Sequence, residues 1–106
     1  MSAVLKRIKR LILTGRYIFT EKATIERERD QLSAEDILEA IMNAQDIYKT
    51  INSRSPYRQG RREKLYVILS FTYDGILIYT KGKIAKDRDG LDKFYVLISS
   101  KRAIRQ

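Results

Sequence analysis

Apolar residues at Leu5, Ile8, Leu11 and Ile12 recur at the three-and-four spacing of one helical face, with Lys6, Lys9 and Arg10 off it. That pattern predicts a helix over Ala3–Leu13, with Gly15 as its C-terminal stop. Arg16–Thr20 mixes aromatic and β-branched residues, which fit a pleated surface, and predicts a short strand. Thr20 can cap a second helix from Glu21 to about Gln31. Its apolar content is only Ala23 and Ile25, so it should lie on the surface. Ser33 is a good N-cap, and Glu35 and Asp36 suit a first turn. A third helix is therefore expected over Ala34–Asn43, with Ile37, Leu38, Ile41 and Met42 available for burial.

From residue 46 the period changes to two. Asp46–Ile51 reads as a strand, and Lys64–Thr72 is apolar on both faces, as an internal strand should be. Tyr73-Asp74-Gly75 is a hairpin signal, because Asp-Gly adopts positive φ at little cost. Ile76–Ala85 and Lys93–Ser100 are the next strands, separated by the polar loop Lys86–Asp92, and a short basic tail follows. One helix, a strand, two helices and four strands argue an α+β fold: an antiparallel sheet with helices on one face. The 106 residues make a single domain, with no internal repeat.

Composition narrows the chemistry. With no cysteine and no histidine, thiolate sites, the usual zinc ligand and the usual near-neutral proton shuttle are excluded. No metal or cofactor is expected, and acid–base work would fall to Lys, Glu, Asp, Tyr or Arg. No segment is apolar for 18 residues, and charge interrupts the N-terminal stretch too often for a signal-peptide core; a cytoplasmic protein without membrane contact is expected. The net charge of +9 is unevenly spread. Residues 1–43 hold 8 basic and 7 acidic groups, whereas residues 44–106 hold 14 and 6. A cationic second half points to nucleic acid, an anionic surface or an acidic protein partner. The acidic second and third helices would repel a DNA major groove, so direct DNA binding is not expected. Mixed tyrosines and cations suit single-stranded RNA.

Alternation sorts the strand residues. Leu77, Tyr79, Lys81 and Lys83 share one face of their strand, opposite Ile76, Ile78 and Thr80. In the last strand Tyr95, Leu97, Ser99 and Lys101 lie opposite Phe94, Val96 and Ile98. A patch of Tyr79, Lys81, Lys83 and Lys101 is expected on the face without helices, with Lys49 a candidate fifth member. The bland alternative is a solvated sheet face, which lysine commonly decorates. Gly82, isolated within TKGK, is only a weak phosphate-loop signal. The segment SRSPYRQGRREK, Ser53 to Lys64, carries five cations and one acid between two strands. It is either a solvated connector or a grip on an anion.

The ordered series LKRIKRLI, GRYIFTEKA, LSAEDILEAIMNAQDIYKT, EKLYVILSF, IYTKGKI and FYVLISSKRA resembles the MqsR family of type II toxins, over Leu5 to Ala103. FTEKA and SAEDILEAI also resemble DUF4258-type domains. The resemblance implies a RelE-like fold, a metal-independent, sequence-specific mRNA endoribonuclease (an mRNA interferase) and a neutralising antitoxin protein. Carried over segment by segment, it implies a catalytic set of Lys49, Glu63, Tyr79 and Lys101. Glu63 stands where the family carries glutamine. RNA phosphates would be held by Arg54, Arg58, Arg61, Arg62, Lys81, Lys83 and Arg102.

Metal-independent cleavage needs removal of a 2′-OH proton, stabilisation of the phosphorane and protonation of the 5′-oxygen. Lysine and tyrosine, with unperturbed pKa values of about 10, serve as bases near neutrality only when shifted, and crowded cations shift one another downward. Two further readings remain open: a non-catalytic RNA- or ribosome-binding module, and a domain that only pairs with a regulatory protein.

Overall fold

A computed structural model describes residues 1–54 and 62–103, with the backbone alone at Arg54 and Arg62. Its elements are α1 (Ala3–Leu13), β1 (Tyr17–Phe19), α2 (Glu21–Arg29), α3 (Ala34–Asn43), β2 (Lys49–Arg54), β3 (Arg62–Phe71), β4 (Leu77–Lys86) and β5 (Asp92–Arg102). The five strands form one sheet in the order β1-β5-β4-β3-β2.

Local chemistry sets most boundaries. Ser2, Thr20 and Ser33 each cap a helix by accepting a backbone N–H, and Ser33 with Asp36 completes a capping box. Gly15 at φ 74° ends α1, its N–H donating to the Ile12 carbonyl and the Arg16 N–H to that of Leu11. The helix α2 stops at Arg29, two residues before the expected end, because Gln31 turns to φ 60°. Asp74-Gly75 makes the β3–β4 turn, with Gly75 at φ 85°.

Two expectations require correction. The sheet is mixed rather than antiparallel: β2 to β5 form an antiparallel meander, but β1 runs parallel to β5, with Tyr17, Ile18 and Phe19 paired to Tyr95, Val96 and Leu97. The outer edge of β5 offers unpaired backbone groups, and β1 satisfies them on its way from α1 to α2. The second strand also begins later, at Lys49 rather than Asp46. The Asp46 carboxylate accepts the Ile47 N–H and holds 44–48 as a connector. The strand then runs on into the basic segment, pairing Asn52 with Lys64, Ser53 with Glu63 and Arg54 with Arg62. Both ends of SRSPYRQGRREK are thus ladder rather than loop. Residues 55–61 lie outside the described residues.

All three helices pack on one face of the sheet. Leu5, Ile8, Leu11, Ile37, Ala40 and Ile41 meet Tyr66, Ile68, Ile78, Tyr95 and Leu97 in one core. Gly82 belongs to that packing. A Cβ there would lie 2.6 Å from the Tyr95 ring and hydroxyl and 2.8 Å from the Val96 carbonyl oxygen. The isolated glycine of TKGK makes room for a buried tyrosine, which accounts for it without any phosphate. Burial, with Tyr66 close by, pushes the Tyr95 phenol far above its usual range, so it stays neutral.

Candidate nucleic-acid interface on the open sheet face

The face opposite the helices is covered by no other element among the described residues, and directly paired residues on neighbouring strands project from the same face. Lys49 pairs with Val67, and Val67 with Lys81. Val67 is fully buried although it points away from the helical core. Lysine stems flanking a strand can cover an apolar residue while the ammonium groups stay in water, and Lys49 and Lys81 stand on either side of it. At about 4.8 Å per strand, two spacings place the Lys49 and Lys81 backbones roughly 10 Å apart. The next row runs Leu69, Tyr79, Lys101. There the Lys101 ammonium lies 5.4 Å from the centre of the Tyr79 ring, a cation–π contact.

Strict alternation would send Lys101 to the other side with Tyr95, Leu97 and Ser99, which face the helices. A bulge prevents this. The β4–β5 register passes from Lys81–Ser99 to Gly82–Leu97, so Ile98 is an extra residue. Ser99 and Ser100 are consecutive, yet both are buried and both bond to α2: Ser99 Oγ donates to Glu26 at 2.7 Å and Ser100 Oγ to the Ala23 carbonyl at 2.8 Å. The phase flips there, and Lys101 emerges beside Tyr79.

Glu26 holds this bulge. It is 8% exposed and accepts from Ser99 Oγ and, at 3.2 Å, from the Ser100 N–H. Burial pushes its carboxyl up, but those two bonds and the charges of Lys22 and Lys101 outweigh it, so the group sits below the usual glutamate range. Glu26 belongs to no motif that marks it in the sequence. The available signal was its i, i+3 spacing from Ala23, which places it on the inward side of a helix with few apolar residues.

The remaining candidates divide. Lys83 donates to Glu63 at 2.7 Å, each side chain 24% exposed. Glu63 is therefore engaged by a cation, which weakens it as a base. Arg102 is not brought to the Tyr79 row. It pairs with Ile78 of the helix face, and both its N–H and its Nε donate to Asp30 at the end of α2. Arg54 and Arg62 are placed opposite each other in the ladder by their backbones. Arg58 and Arg61 lie outside the described residues. Among the described residues, no three acidic side chains gather as metal ligands would, and no helix is long and apolar enough to cross a membrane. No family model, curated protein or solved structure matches the chain.

Proposed function

We propose that this protein binds single-stranded RNA on the open sheet face and cleaves it without a metal, as the toxin of a toxin–antitoxin pair. The observation that carries the reading is the rows themselves. Lys49, Lys81, Tyr79 and Lys101 come from three strands onto one face, while the acids of α2 and α3 ride on the helical layer behind it. A polyanion is drawn to the first side, whereas on the second it is repelled at α3, which carries Glu35, Asp36 and Glu39 and no cation.

In this scheme the RNA 2′-oxygen attacks the adjacent phosphorus and the bond to the 5′-oxygen breaks. A base takes the 2′-OH proton and an acid delivers one to the departing 5′-oxygen, leaving a cyclic phosphate and a 5′-hydroxyl. Lys101 and Lys49 stabilise the phosphorane charge and move protons. Tyr79 contributes its hydroxyl, because one face of its ring is already taken by Lys101. Lys81 holds the backbone, and Glu63 positions Lys83. The RelE-like, MqsR-type reading of the fold and a neutralising antitoxin bound to this chain belong to the same proposal.

Purified protein with end-labelled mRNA and EDTA tests it. Discrete breaks are expected, lost at least 100-fold in Lys101→Ala and strongly reduced in Tyr79→Phe at unchanged melting temperature. Breaks that survive Lys101→Ala would remove the mechanism. One observation favours a second reading, RNA binding without cleavage: the Glu63 carboxylate is committed to Lys83. Salt-dependent binding with intact RNA would select it.

A further inference from the structure

A second cationic site lies at the other end of β4, away from the Tyr79 row. Arg7 and Arg10 of α1, Arg16, Lys86 at the end of β4, Leu91 of the β4–β5 turn and Asp92 at the start of β5 line an open pocket of about 520 Å³, within the size range of small-ligand sites. Its four cations come from three parts of the chain, and Asp92 is its one acid. That carboxylate is spent on Arg7: Nε and one terminal nitrogen each donate to it at 2.8 Å. The bidentate bond, outweighing burial, and the nearby Lys86 and Arg16 hold Asp92 below the usual carboxylate range. Arg16 is fixed by Thr14 Oγ1 at 3.1 Å and the Asp92 carbonyl at 3.3 Å. Neither Arg10 nor Lys86 has an ion-pair partner among the described residues. Asp87 close by turns its carboxylate inward, onto the N–H groups of Asp89 and Leu91. One basic residue in the last turn would serve the α1 dipole; Arg16 and Lys86 exceed that need.

We infer that this pocket is a phosphate-binding site for the same RNA strand, several nucleotides from the Tyr79–Lys101 pair. The inference rests on the RNA-binding reading of the sheet face. Lys81 stands on the open face of β4, and Lys86, of the opposite phase, turns to the α1 side where that strand ends, so the RNA rounds this end of the sheet to reach the pocket. At about 3.3 Å per residue, Lys86 is roughly 23 Å from Tyr79 along the strand, a span several nucleotides long. The pocket contributes affinity and fixes the direction of the strand, and it takes no part in the bond cleavage.

The test is fluorescence anisotropy with labelled 2′-O-methyl RNAs, which cannot be cleaved, of about 3 and about 15 nucleotides, the shorter below and the longer within the range of single-strand site sizes. The variant is R10S/K86S, two side chains exposed at the pocket rim. Wild type should bind the longer RNA more tightly. The variant should lose roughly tenfold on it, with a salt slope lower by about 1.4, or 0.7 for each charge removed. The shorter RNA, unable to span both sites, should be unaffected. Unchanged affinity and slope on the longer RNA overturn the pocket, as does an equal loss on both RNAs. If the longer RNA depends on Arg10 and Lys86 but natural RNA stays intact, the ribonuclease reading fails and the pocket stands. If RNA is cleaved and Lys101→Ala abolishes it while R10S/K86S binds normally, the pocket alone fails.

Discussion

Glu26→Ala should be among the most damaging single changes in the chain. The carboxylate receives two donors, Ser99 Oγ and the Ser100 N–H, from residues 2% and 0% exposed. The serine hydroxyl can rotate in search of another acceptor; the backbone N–H cannot. An unsatisfied buried donor costs about 1–3 kcal/mol, and bonds to charged groups lie at the upper end. A loss of about 2–4 kcal/mol is expected from a total of about 5–15, and a fall in melting temperature on the order of 10–20 °C. Glu26→Gln keeps an acceptor oxygen and should lose only about 1 kcal/mol. The native carboxyl is held below its unfolded value, so its contribution is fully present above the unfolded pKa of about 4.3 and drains away as pH falls through the native one. The gap between wild type and Glu26→Gln should therefore narrow in acid. Urea unfolding followed by circular dichroism at neutral and acid pH measures both quantities. Stability of Glu26→Ala within about 0.5 kcal/mol of wild type would refute the role given to this carboxylate. Because the bulge carries Lys101 to the Tyr79 face, the Tyr79 ring resonances should shift in Glu26→Ala and much less in Glu26→Gln.

Two smaller tests address the packing around Gly82. Gly82→Ala drives a methyl group into the Tyr95 ring and the Val96 carbonyl, and should cost at least the roughly 1–3 kcal/mol typical of overpacking, read as a lower melting temperature. Tyr95→Phe deletes a buried hydroxyl that has no hydrogen-bond partner among the described residues. It should leave stability unchanged or raise it by about 1 kcal/mol, and a loss of similar size would mean that the hydroxyl is satisfied.

The elements were legible because each is written locally. Caps at Thr20 and Ser33, the stop at Gly15, the Asp74-Gly75 turn and the change of period after residue 46 all act within a few residues of where they stand. What escaped the sequence depends on contacts across the chain. The parallel direction of β1 is decided by the free edge of β5, nearly eighty positions away. Alternation alone starts β2 too early, because Ile47 continues the apolar pattern while the Asp46 carboxylate ties up its N–H. Lys101 shows the limit of period-two reasoning most directly. The bulge at Ile98–Ser99 puts Ser100 on the helix side and parts Lys101 from Tyr95 and Leu97, with which alternation groups it, and only the register with β4 reveals it. Gly82 was visible as an anomaly, but its reason is a tyrosine thirteen residues later.

The pairing of Tyr17–Phe19 with Tyr95–Leu97 also sets an order on synthesis and folding. The helices and β2 to β4 can form from nearby chain, but β1 has no strand to join until β5 has emerged, and closing so long a loop is entropically late. The same strand supplies Ser99 and Ser100 to Glu26 and Lys101 to Tyr79. A product cut short before β5 therefore lacks an edge for β1, a partner for a buried carboxylate and one half of the Tyr79–Lys101 pair at once. The Tyr79–Lys101 pair therefore has no partial version: it comes into being only once β5 has been made and has taken its place between β1 and β4.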